Sequence, residues 1–252
     1  MPMDVADLHG KTALVTGASR GIGASVARIL ADRGADVVVN YRSKAPRAEE
    51  VAETVRAAGR RVLLARADMT EAGEMRAMMR LVESQFGRLD LLILNASGGL
   101  ERERPPEYAM ELNLHAQVRA VDLALPLIPA GGRIVFVTSH LAHFYGEKPG
   151  YAAYEPVAAS KKAGEEALRA RVTDLMERGV SLIVVSGDLI EGTITPRLME
   201  RLQPGIIEAR RAEAGSLPTV EDFARAIAKA AANPVLQTGA TVFVGSTDWK
   251  AG

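Results

Sequence analysis

The sequence predicts an α/β fold: a doubly wound, mainly parallel sheet of seven strands with helices on both faces. Three observations lead there. Seven short runs are apolar and rich in β-branched residues, with the length of strands buried on both faces. Longer stretches of helical period separate them. The first run leads straight into a glycine-rich turn that opens a helix.

In chain order the runs are TALVT (12–16), DVVVN (36–40), RVLLA (61–65), LDLLIL (89–94), RIVFV (133–137), SLIVV (181–185) and ATVFV (240–244). Between them, SVARILADRG (25–34) and EMRAMMRLVESQFG (74–87) have amphipathic spacing and end in glycine, as C-caps do. Repetition of strand, helix and strand implies right-handed crossovers and a parallel sheet. No repeat, low-complexity tract or linker-like break interrupts the pattern, so residues 1–252 are expected to form one domain.

Composition removes several function classes. The 31 basic and 31 acidic residues cancel, so no basic excess points to nucleic acid, and 4% aromatics leave few stacking platforms. Without cysteine there is neither a disulfide nor a thiol nucleophile, which fits a reducing compartment. The start, MPMDVADLHGKTALVTG, lacks a basic segment followed by an apolar core, and the apolar runs are too short to cross a bilayer. A cytoplasmic protein with no membrane partner and no metal site is expected. The charge-rich stretches ERERPPE (101–107) and EARRAEAG (208–215) read as solvated surface.

The turn TGASRGIG carries the chemistry. Gly17, Gly21 and Gly23 permit a tight bend and let main-chain N–H groups approach a pyrophosphate, which the positive end of the following helix favours. Ser19, Arg20 and Ile22 complete this cofactor-binding turn. The context, the first strand–helix junction of a parallel α/β chain, is that of a Rossmann-type dinucleotide site.

The spacing G-x-x-x-G-x-G resembles that of the short-chain dehydrogenase/reductase family, and the similarity extends over nearly the whole chain. The resemblance implies an oxidoreductase that uses a nicotinamide nucleotide. It implies cofactor contacts from Asp68 and Met69 in RADMT, with the Asp68 side chain meeting the adenine, and from Asn95 and Ala96 in LNASGG, where Leu94 and Ser97 depart from the family's N-N-A-G. Asn113 in ELNLHA resembles the asparagine that supports a water near the catalytic lysine, and Ser139 in VTSH the serine that orients the substrate. SGDLIEGTITP resembles the P-G-x-x-x-T segment closing over the nicotinamide, with Ser186 in place of proline and Gly187 and Leu189 as contacts.

The end of the second strand selects the nucleotide. An acidic residue there would bind the ribose hydroxyls and repel a 2′-phosphate. The strand ends DVVVNYRSK, so the expected position is neutral Asn40, followed by Arg42 and Lys44, with Arg20 near by. Cations beside a neutral amide suit a phosphate monoester, and NADP(H) is expected over NAD(H).

YAAYEPVAASKKAG (151–164) departs from the family. There a tyrosine four residues before the lysine protonates the carbonyl, and the lysine binds the ribose and lowers the phenol's pKa. Aligning ASK with the family's A-x-S-K makes Lys161 the lysine and puts Val157, which cannot move a proton, at the tyrosine's place. The gap from Ser139 to Lys161 is lengthened by residues that bring Tyr145, Tyr151 and Tyr154. Pro156 suits the first position of a helix, so Tyr154 is expected before it, in extended geometry, with its ring folded back as the acid; Tyr151 comes second. Another donor (water, His140, His143 or the substrate itself) is the next reading. A chain that binds nucleotide without turnover, as a sensor or scaffold, is the competing one.

The segment IEGTITPRLMERLQPG is expected as a lid. By resemblance the helices of 107–128 and 157–176 pair between subunits of a homodimer or homotetramer, and TGATVFVGSTDW forms the closing strand. The function so expected is NADPH-dependent reduction of a small-molecule carbonyl, or its reverse.

Overall fold

The computed structural model describes residues 7–248 apart from 102 and 106. The first six residues read above for a leader, two positions of ERERPPE, and Trp249 of the closing motif lie outside the described residues.

Strands and helices alternate as β1 (Thr12–Val15), α1 (Gly21–Asp32), β2 (Asp36–Tyr41), α2 (Ala45–Ala57), β3 (Val62–Arg66), α3 (Ala72–Phe86) and β4 (Leu91–Leu94). A helical run follows: α4 (Tyr108–Met110), a π-helical turn (Glu111–His115) and α5 (Ala116–Ala124). Then come β5 (Arg133–Ser139), α6 (His140–His143), α7 (Glu155–Arg169), α8 (Val172–Glu177), β6 (Ser181–Gly187), α9 (Ile194–Leu202), α10 (Ile206–Ala214), α11 (Val220–Ala232) and β7 (Thr241–Val244).

The seven strands form one sheet in the order β3-β2-β1-β4-β5-β6-β7, with parallel pairing in every ladder. The continuous apolar runs are explained by burial on both faces. Val15, Val37, Ile93, Val135 and Ile183 face α1, α2 and α11, whereas Leu14, Val38, Leu92, Ile134 and Leu182 face α3, α5, α7 and α8. Among the described residues no helix is long and apolar enough to cross a membrane.

Local signals terminate the helices where expected. Gly87 takes φ +69° beyond α3 and donates its N–H to the Glu83 carbonyl at 2.8 Å. Thr219 and Asp222 form a capping box at α11. β5 and β6 run two residues beyond the predicted runs, because Thr138 and Ser139 pair in the ladder with Ser186 and Gly187. The helix expected over 157–176 is broken, α7 ending at Arg169 and α8 starting at Val172.

From β1 the chain crosses one way, to β2 and β3; from β4 it builds the other way, to β5, β6 and β7. The loops leaving the carboxyl ends of β1 and β4 therefore diverge and open a crevice.

Candidate active site

The turn after β1 is held open from both neighbouring strands. Gly17 and Gly21 adopt φ +64° and +55°, a region in which side chains are strained. Asn40 on β2 accepts the Gly17 N–H with Oδ1 at 3.0 Å and donates from Nδ2 to the carbonyls of Ala65 and Ala67 at 3.2 and 3.1 Å. From β4, Asn95 Nδ2 donates to the Thr16 carbonyl at 2.9 Å, while Thr16 Oγ1 accepts from the N–H groups of Asn95 and Ala96, both at 2.9 Å. A Cβ on Gly23 would lie 2.6 Å from Asn95 Nδ2 and 2.6 Å from the Gly17 carbonyl, whereas one on Gly21 would meet only open space.

A groove of about 650 Å³ runs along this turn. Gly17, Ser19, Arg20, Gly21, Ile22, Gly23, Asn40, Arg42, Asp68, Met69, Asn95 and Ala96 all line it, together with Lys44 and Arg47. Asp68 closes an Asx turn onto Thr70, at 3.0 Å to N–H and 2.8 Å to Oγ1, and its other oxygen lies 4.0 Å from Arg42 Nε. The groove fits a dinucleotide: glycines at positive φ clear its wall, the amino end of α1 faces it, and cations gather at its β2 end.

Asn40 is a correction. It was expected to face the ribose, but it is buried, with both ends of its amide bonded to backbone. Asn40 still lies within β2, where its amide clamps the backbone of both neighbouring segments, whereas Tyr41 ends the strand and Arg42 and Ser43 lie beyond it at the rim.

The groove opens into a second cavity of about 310 Å³, lined by Ser139, Tyr154, Val157, Lys161, Gly187 and Leu189, with Leu141, Pro196 and Leu198. The Tyr154 hydroxyl is 3.2 Å from Ser139 Oγ. Burial pushes the Tyr154 phenol up, and the bond to Ser139 partly offsets this, so the phenol keeps its proton near neutrality. Lys161 is also buried; desolvation pushes its ammonium down to about 8, against the opposing field of Glu165 one turn on. Adjacent Lys162 turns away, donating to the His143 carbonyl at 2.8 Å and to Glu147 at 3.2 Å.

Tyr154 precedes α7, as expected, but is not extended. It ends a 3₁₀ turn (Ala152–Tyr154) with φ −105° and ψ −7°, and Pro156 stands inside the first turn of the helix rather than at its first residue. That compact entry is what returns the ring to Ser139.

The other candidates sit elsewhere. Tyr145 donates to Glu155 at 3.2 Å. His140 is fully buried with Nδ1 2.8 Å from Ser186 Oγ, and His143 Nδ1 is 2.8 Å from Glu165. Asn113 lies in the π-helical turn, lining neither cavity, its Nδ2 donating to the Gly98 carbonyl at 2.8 Å and to Ser160 Oγ at 3.0 Å. Its main-chain carbonyl faces Gly164, where a Cβ would come within 2.1 Å.

Comparison with known proteins agrees with this fold. The family model described as short chain dehydrogenase matches residues 11–202. The chain belongs to the short-chain dehydrogenase family. It is 34% identical over 206 residues to the hydroxynaphthalene reductase arp2 of Aspergillus fumigatus, covering 79% of this chain and 73% of that one. Among solved structures it resembles a Burkholderia cenocepacia short chain dehydrogenase in complex with NADP, at 30% identity and TM-score 0.83 over 95% of this chain and 98% of the other. It also resembles a 7α-hydroxysteroid dehydrogenase complexed with NADH and 7-oxo glycochenodeoxycholic acid, at 26% identity and TM-score 0.83 over 99% and 100%. Carbonyl–alcohol oxidoreduction is thus the chemistry of its relatives.

Within the dehydrogenase fold, sequence reasoning missed three supports. Ser186, standing for the family's proline, gives His140 a hydrogen-bond partner. Asp188 makes a fully buried ion pair with Arg210, at 2.7 Å, which ties α10 to the end of β6. Gln117 satisfies the carbonyls of Leu112 and Ala96, at 2.8 and 3.0 Å, where the π-helical turn loosens the helix. The bonds of His140 to Ser186, of Asp188 to Arg210 and of Gln117 to Ala96 join residues too distant in sequence for spacing to reveal. A smaller signal was readable: the place of the family's threonine is taken by Glu191, and Thr193 two residues on lines both cavities.

Proposed function

We propose that the protein catalyses NADPH-dependent reduction of a small-molecule carbonyl to an alcohol, or the reverse, with Tyr154 as the acid. The observation that carries this reading is the Tyr154 hydroxyl 3.2 Å from Ser139 in a cavity shared with Lys161 and continuous with the glycine groove. When bound, NADPH supplies the hydride that goes to the carbonyl carbon. Ser139 orients the carbonyl oxygen and Tyr154 gives it a proton; the phenol, protonated because it is buried, suits this direction of transfer. Lys161 holds the nicotinamide ribose and, while charged, stabilises the phenolate left behind. Asn113, with its side chain fixed, offers its carbonyl as the acceptor for a water near Lys161.

The preference for NADPH rests on Arg20, Arg42, Lys44 and Arg47 along the groove, not on Asn40. Leu141, Val157, Leu189, Pro196 and Leu198 favour an apolar ketone, in keeping with the hydroxynaphthalene and steroid named for the relatives. A cytoplasmic homodimer or homotetramer, built on the α4–α5 and α7 helices as in the family, completes the reading.

The test is turnover of NADPH with a panel of ketones that includes hydroxynaphthalenes and a 7-oxo bile acid, before and after Tyr154→Phe. Loss of the acid is expected to lower kcat by roughly 10²- to 10⁴-fold with cofactor binding retained. Unchanged turnover in the variant would remove Tyr154 from the mechanism. A second reading, nucleotide binding without turnover, is favoured by Val157 at the family tyrosine's place in α7; cofactor binding with no reduction of any ketone would support it.

A further inference from the structure

Arg42 is tied across the groove. Its Nη1 donates to the Tyr108 hydroxyl at 2.8 Å, while its Nε lies 4.0 Å from Asp68. Tyr108 belongs to the opposite wall: it opens α4, beyond β4, and lines the same groove. Its ring is buried, with the Arg104 guanidinium 4.8 Å from the ring centre. Gly98 makes room for it, since a Cβ there would lie 3.2 Å from the ring and 3.1 Å from Leu112. Burial pushes the phenol up even though Arg42 pulls it down, so the oxygen is a neutral acceptor with a fixed position. Arg20, Lys44 and Arg47 line the groove as well, but among the described residues Arg42 alone of these four bonds a side chain on the far wall.

We propose that Tyr108 is a positioning residue that aims the Arg42 guanidinium at the 2′-phosphate of the adenosine, so that nucleotide preference depends on α4 as well as on the end of β2. The inference rests on the NADPH reading and names the device behind it. An arginine on a strand end has many rotamers, and its planar fork rewards a phosphate only when correctly presented. A bond from Nη1 to a rigid phenol, with Asp68 flanking Nε, removes most of that freedom before the nucleotide arrives, which is preorganisation of a charge-assisted contact.

The experiment is direct titration of the purified protein with NADPH, NADH, 2′,5′-ADP and 5′-AMP, followed by calorimetry. Tyr108→Phe keeps the buried ring and removes only the acceptor. It is expected to raise Kd for NADPH and 2′,5′-ADP roughly three- to tenfold while leaving NADH and 5′-AMP within about twofold. In an Arg42→Ala background the same change is expected to have no further effect. Arg42→Lys, which keeps the charge but not the fork, is expected to match or exceed the loss in Tyr108→Phe. Equal weakening of both nucleotide classes, no change in either, or full additivity with Arg42→Ala would overturn the proposal. If the wild type binds NADH as tightly as NADPH, the cofactor reading itself falls and the inference with it. A wild type that prefers NADPH, with the ratio intact in Tyr108→Phe, sinks the inference alone.

Discussion

Replacing His140 by Asn gives a quantitative test of how the site is built. His140 follows Ser139 directly, is wholly buried, and has Nδ1 2.8 Å from Ser186. Phe144 and Phe243 pack edge-on to its ring, and among the described residues its Nε2 has no hydrogen-bond partner. A proton added to such a ring would sit in an apolar shell. Burial therefore pushes the imidazole down to about 4, from 6.5; Asp188 pulls it up, while Arg210, His143 and Lys148 push it further down. The folded state thus binds fewer protons than the unfolded state between these two values, so stability is intact above about 6.5 and drains away as the pH falls toward 4. With those two values, the loss due to this residue between about pH 7 and pH 4.5 is roughly 2 kcal/mol. Asn retains an amide for Ser186 but does not titrate. Urea unfolding of wild type and variant across that range, with equal m-values, is expected to show the wild type losing this amount more than His140→Asn. Parallel pH dependences would refute the argument that desolvation dominates at residue 140.

Two further outcomes follow from the same geometry. With the Lys161 ammonium held down to about 8, its charge in the free protein is lost as the pH rises through that value, so NADPH affinity is expected to fall above pH 8 in wild type but not in Lys161→Met. Unfolding adds the opposite sign, since the unfolded lysine keeps its proton up to 10.5 and stability therefore rises between these values; the measurement must be of binding. Gly23→Ala would force a Cβ to within 2.6 Å of both Asn95 Nδ2 and the Gly17 carbonyl. The amide can swing aside but the backbone cannot, so a loss of about 1–3 kcal/mol in stability is expected from thermal or urea unfolding, with cofactor affinity reduced at least roughly tenfold.

The sheet was legible because strands buried on both faces are written as unbroken apolar runs, and the phosphate turn because positive φ at Gly17 and Gly21 demands glycine. What spacing does not carry is direction. Asn40 and Arg42 are two residues apart on one strand end, and only the structure separates the inward clamp from the arginine at the rim. Lys161 and Lys162 are adjacent on α7, and the turn of the helix sends one into the cavity and the other to Glu147. The bonds of Arg42 to Tyr108 and of Arg210 to Asp188 join residues 66 and 22 positions apart, beyond any local pattern.

The displaced tyrosine follows from the same helical geometry. Tyr154 stands three residues before Val157, about five-sixths of a helical turn, so a side chain moved by three keeps nearly the direction of the one it replaces, one turn lower. At the end of the 3₁₀ turn that leads into the helix, the Tyr154 hydroxyl lies 3.2 Å from Ser139 Oγ. Val157 fills the space left in the helix: it is buried, and the main chain at Gly99, with φ +118°, lies so close that a Cβ there would come within 3.1 Å of it. A phenol returned to position 157 would have to displace that glycine loop, which borders the cavity through Gly98. Val157→Tyr combined with Tyr154→Phe is therefore a poor restoration of the family pattern. With Tyr154 as the proposed donor, a phenol at position 157 gains nothing while the glycine loop stays packed against that position.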